Sequence, residues 1–130
     1  MTLKLRKPNV RQLLLIDGVG ALLSAFLLGV VLVKYEVTFG IPVKSLYLLA
    51  AIPIFFALYD FTCYLSKSKK TARLLQIIAS ANLVYCLISL ALAWSHRETI
   101  TLWGWGYLIA EVLIVVALAI IEFKTAKRNP

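Results

Sequence analysis

Four apolar blocks, approximately residues 12–33, 46–65, 74–94 and 102–121, dominate this chain of 130 residues and fix what it can become. About 20 residues at 1.5 Å rise cross a hydrocarbon layer of about 30 Å, so each block has the length of one transmembrane helix. Hydrophobic side chains make up 62% of the chain, against about half in an ordinary soluble domain. The first block runs past the apolar core of a secretory signal and ends at Val33-Lys34-Tyr35 without a small-x-small cleavage site, so it is expected to persist as a helix. The sequence therefore predicts an all-α polytopic membrane protein: a single domain over residues 1–130, built as an antiparallel bundle of four transmembrane helices.

Charge sets the expected orientation. Lys4, Arg6, Lys7 and Arg11 precede the first block, Lys67, Lys69, Lys70 and Arg73 fill the loop between the second and third, and Lys124, Lys127 and Arg128 follow the fourth. Only Lys34, Lys44 and Arg97 fall in the other two loops. This asymmetry places both termini and the middle loop in the cytoplasm and the chain in the inner membrane. The net charge of +8 is spread over short helix-flanking segments, as membrane topology and anionic headgroups require, and no nucleic-acid partner is expected. Trp94, Trp103, Trp105 and Tyr107, beside His96, Arg97 and Glu98, read as the aromatic belt of the outer interface. Gly40 and Pro42 mark a turn in the first outer loop, and Pro53 is expected to kink the second helix.

Against this background the acids stand out. Asp17, Asp60 and Glu111 lie inside the apolar blocks, where a charged side chain costs roughly 2.5 to 3.5 kcal/mol on insertion scales and marks a functional site by default. Counting from the cytoplasmic end of each block puts Asp17 and Asp60 at about 8 Å, Asn82 at about 12 Å and Glu111 at about 15 to 17 Å. Helical spacing gives each group an inward face: Asp17 with Gly20, Ala21 and Ser24; Asp60 with Pro53, Ala57 and Tyr64; Asn82 with Ala79, Cys86, Ser89 and Ala93; Glu111 with Tyr107, Leu118 and Glu122. Lys, Arg and His are absent from the four blocks. Two close acids, Asp17 and Asp60, would then share a proton or hold a cation, with Tyr59, Tyr64, Tyr85 and Asn82 supplying hydrogen bonds. Glu122, near Lys124, is assigned to the interface. The competing reading is that such groups only join helices, at roughly 0.6 kcal/mol per interhelical hydrogen bond.

Other chemistries lack their residues. Cys63 and Cys86 sit at different depths, which disfavours a disulfide, and no Cys-x-x-Cys is present. His96 is the only histidine, so paired-histidine haem ligation and a His/Cys zinc site are not expected. Asp17-Gly18-Val19-Gly20 reads as a helix-packing face rather than a nucleotide loop. No catalytic residue, metal ligand or cofactor is assigned.

The segments Asp17-Gly18-Val19-Gly20-Ala21-Leu22-Leu23-Ser24-Ala25, Phe56-Ala57-Leu58-Tyr59-Asp60 with Cys63-Tyr64, Ala81-Asn82-Leu83-Val84-Tyr85-Cys86, and Glu111 resemble a group of small bacterial four-helix inner-membrane proteins without established function. That resemblance implies the topology and no activity. In length, helix count and an acid in the first helix, the chain is also similar to the small multidrug resistance exporters, although those carry a Glu in a different flanking sequence.

The expectation is a non-enzymatic membrane protein whose intramembrane site binds a small ligand, proton or cation, with a transport protomer as one form of it. In it Asp17 and Asp60 bind or exchange the charge, Asn82 and Tyr85 orient them, and Glu111 extends the path. The alternatives are an accessory subunit of a larger membrane assembly and, third, an intramembrane enzyme acting on a lipid. The expected partners are the lipid bilayer and either further copies of the chain or a larger membrane protein.

Overall fold

The computed structural model describes residues 10–65 and 71–128. Among them the regular structure is entirely helical, and four helices are long and apolar enough to cross a membrane: Val10–Lys34, Val43–Leu65, Ala72–Ser95 and Leu102–Lys127. They are called the first to fourth long helices below. Lys4, Arg6, Lys7, Lys67, Lys69 and Lys70, which carry much of the expected charge asymmetry, lie outside the described residues.

The first long helix is interrupted by a π-helical turn at Leu27–Val31, where the Leu32 N–H bonds back to the Leu27 carbonyl. Inserted π turns of this kind frequently accompany functional sites, and Leu27 lines the cavity described below. The second helix continues through Pro53, which has no N–H to donate to the preceding turn. The fourth helix runs on to Arg128, about five turns beyond Glu111. Its last turns hold Glu122 inside the bundle, at 0% exposure, instead of at the interface where the sequence suggests it.

Packing follows sequence order: the first helix lies chiefly on the second and the third chiefly on the fourth, with fewer contacts between these pairs. Two apolar clusters tie the pairs together. One, around Leu28, Leu32, Leu46, Leu49, Ile100 and Leu108, adjoins the 35–42 and 96–101 connections. The other, around Leu13, Leu14, Cys63, Leu75, Ile78 and Ala126, lies at the opposite end. Large apolar side chains such as Leu22, Leu23, Phe26, Phe55, Leu58 and Leu87 are exposed on the outside, the surface a lipid environment would cover.

The connections at one end are locked together. The Thr101 N–H donates to the Phe39 carbonyl at 3.1 Å, and the Thr101 hydroxyl donates to the Thr38 carbonyl. Gly40 has a φ of 68°, the left-handed conformation that glycine adopts without steric cost. Close by, Ser45 Oγ meets His96 Nε2 at 3.3 Å, and the Phe39 and Tyr107 rings pack edge to face at 6.5 Å.

Candidate functional site

Each long helix carries at least one polar group into the bundle, and the third helix organises them. Asn82 is 6% exposed, and its amide nitrogen donates to Asp17 Oδ1 at 2.8 Å and to Glu122 Oε1 at 3.2 Å. One amide thus uses both its hydrogens to hold carboxyls from the first and fourth helices. Asp60, at 0% exposure, lies within hydrogen-bonding reach of Asp17, and Glu122 faces Asp17 as well. The result is a cluster of three carboxyls around one amide.

Its donors are too few. Among the described residues, Asp17 Oδ2, both Asp60 oxygens and Glu122 Oε2 are buried without a donor. The charged neighbours that bear on Asp60 and Glu122 are other acids. Arg11, the basic residue at the start of the first helix, is engaged elsewhere: its guanidinium donates to the Tyr64 carbonyl at 3.0 Å and lies 4.8 Å from the centre of the Tyr64 ring. Two carboxyls can bond to each other only if one holds a proton, so the cluster needs protons or a bound cation to balance its charge. Among the described residues no group of three or more His, Cys, Asp or Glu side chains is arranged to hold a metal ion.

One turn along the third helix, Tyr85 makes a second polar site. Its hydroxyl donates to Glu111 Oε1, the Tyr107 phenol lies beside the same carboxyl, and Glu111 Oε2 receives no donor among the described residues. Glu111 is 8% exposed.

A cavity of about 240 Å³ joins the two sites, with Asp17 and Asn82 from one and Tyr85, Tyr107 and Glu111 from the other on its wall. The rest of the wall is largely apolar or small, including Gly20, Ala21 and Ser24 on the first helix, Pro53 and Phe56 on the second, and Ile114 and Leu118 on the fourth. The small residues spaced along the first helix next to Asp17 create the room, because they leave the helix surface low where a larger side chain would fill it.

Of the residues assigned from sequence, Asp17, Asp60 and Asn82 come together in the carboxyl cluster. Tyr85 and Glu111 form a separate pair, so Tyr85 orients Glu111 and not the aspartates. Tyr59 donates to the Leu74 carbonyl at 2.8 Å, and the Tyr64 ring packs under Arg11. Glu122 joins the cluster, although the sequence reading set it at the interface. Its signal was present in the spacing: Glu122 shares a helix face with Glu111 and Leu118, but proximity to Lys124 outweighed it. Cys63 and Cys86 are both buried and free. No family model, curated protein or solved structure matches the chain.

Proposed function

We propose that the chain is an integral inner-membrane protein, an antiparallel four-helix bundle with both termini cytoplasmic, whose buried carboxyls bind and exchange protons or a small cation, as one protomer of a small transporter. The observation that carries this reading is that Asp17 and Glu111 line one cavity while each keeps a buried oxygen without a donor among the described residues. An unsatisfied buried acceptor costs on the order of 1 to 3 kcal/mol, and helix packing alone gives no reason to keep it. Asp17, Asp60 and Glu122 hold the exchangeable charge, Asn82 keeps Asp17 and Glu122 together, and Glu111 with Tyr85 extends the polar path along the cavity.

The test is flux. In proteoliposomes carrying a proton gradient and a set of small cations, the wild-type chain dissipates the gradient with one of them, and Asp17→Asn/Asp60→Asn in correctly folded protein abolishes that coupling. Unchanged flux in the double variant contradicts the proposal.

A second reading has its own support. Asn82 links three helices through two carboxyls, which suits an accessory subunit whose polar layer fixes helix packing. Under that reading the double variant changes neither flux nor ligand binding, and the protein co-purifies with a constant larger partner.

A further inference from the structure

Glu111 stands at the mouth of the cavity. It is buried and lines the wall, while its neighbours on the fourth helix, Ala110 and Ile114, are exposed lining residues, as Gly20 and Leu23 are on the first. Those two helices make few contacts with each other, so the cavity opens between them toward the bilayer. The polar neighbours of the carboxyl are two phenols, Tyr85 and Tyr107, and neither supplies a counter-charge. Charge balance in hydrocarbon therefore puts a proton on Glu111. With Oε1 accepting from the Tyr85 hydroxyl, that proton belongs on Oε2, which is buried without a hydrogen-bond partner among the described residues. A neutral carboxyl so placed is a donor without an acceptor.

We infer that the cavity takes the head of a lipophilic quinone from the bilayer, one carbonyl oxygen accepting from Glu111 and the tail leaving between the first and fourth long helices. This goes beyond the carboxyl-exchange reading and makes no use of the cluster around Asn82. Four features select the class. The missing partner is an acceptor, which a quinone carbonyl is and an ammonium group is not. At about 240 Å³ the cavity is smaller than the roughly 300 to 1,000 Å³ that encloses a drug-sized ligand, so it holds a small head and leaves a long tail outside. Three side chains of the wall, Phe56, Tyr85 and Tyr107, are aromatic, and a flat ring packs on such groups offset or edge to face. Last comes depth: by residue count Glu111 lies about 15 to 17 Å into a hydrocarbon layer of about 30 Å, beyond the reach of phospholipid ester carbonyls fixed near the headgroups. A fatty acid also carries a carbonyl, but it would add another carboxyl to a bundle that already buries Asp17, Asp60, Glu111 and Glu122.

The experiment uses the full chain in lipid nanodiscs with decylbenzoquinone, decylbenzene and decylamine as probes, bound probe being read by native mass spectrometry over a concentration series. The quinone is expected to bind one per chain, about tenfold tighter than decylbenzene, as one buried hydrogen bond allows, and tighter than decylamine. Glu111→Gln keeps that preference, because the Gln amide donates from the same position while its carbonyl still accepts from Tyr85. Glu111→Leu drops the quinone to the level of decylbenzene while circular dichroism stays at wild-type. Equal binding of quinone and decylbenzene to the wild-type chain, tighter binding of decylamine, loss of the preference in Glu111→Gln, or its retention in folded Glu111→Leu overturns the inference.

Discussion

Asn82 and Tyr85 stand three residues apart on the third long helix and divide the buried acids between them: Asn82 donates to Asp17 and Glu122, and Tyr85 to Glu111. One turn of one helix therefore stands at two carboxyl sites whose acids come from the other three helices. The pairing gives the two sites different roles, since the Asn82 site collects three acids and the Tyr85 site holds one.

Replacing Asn82 with Leu removes the amide that donates to both Asp17 and Glu122. An ordinary interhelical hydrogen bond averages about 0.6 kcal/mol, but leaving buried acceptors unmatched costs about 1 to 3 kcal/mol. Equilibrium unfolding in mixed detergent should show a loss in the upper range. A loss of only a few tenths of a kcal/mol means that the amide is not holding the acids.

Tyr85→Phe keeps the ring, which packs edge to face on Phe56 at 6.1 Å, and deletes the hydroxyl that serves Glu111. Groups in direct contact show coupling of roughly 0.5 to 3 kcal/mol in a double-mutant cycle. The cycle of Tyr85→Phe with Glu111→Gln should give a coupling in that range. The cycle of Asn82→Leu with Glu111→Gln should give a smaller one, because those two residues belong to different sites.

At the connected end, backbone proximity makes two glycines intolerant. A Cβ at Gly104 would lie 2.2 Å from the Phe39 carbonyl oxygen, and one at Gly40 would lie 2.1 Å from the Thr99 carbonyl oxygen. Gly40 also needs its positive φ. Alanine at either position should destabilise by on the order of 1 to 3 kcal/mol, whereas Gly106→Ala, with nothing within 4 Å, should be neutral or slightly stabilising. Thermal unfolding of the three variants checks the order.

Cys63 is 7% and Cys86 3% exposed. Neither should react with a membrane-permeant maleimide in the folded protein, and both should react after unfolding in SDS. Rapid labelling of Cys86 before unfolding would show that the middle of the third helix is open.

The four long helices were legible because each apolar block reaches the length of a bilayer crossing, a property that needs no knowledge of packing. Asp17, Asp60 and Asn82 were legible as a group because depth along separate helices can be counted residue by residue. The partner of Tyr85 was not, since depth says nothing about which neighbour a helix face meets. Glu122 was misplaced for a related reason: the fourth helix continues to Arg128, so a carboxyl close to Lys124 in sequence is turned into the bundle instead of toward the headgroups. The π turn at Leu27–Val31 leaves no mark in residue type.

The most direct measurement is infrared difference spectroscopy of the reconstituted protein between two pH values, with carboxyl bands assigned by substitution. The expected result is a change in protonated-carboxyl absorption that disappears in Asp17→Asn/Asp60→Asn while the amide bands stay native. Carboxyl bands that do not respond to pH, or that respond identically in the double variant, would contradict an exchangeable charge at this site.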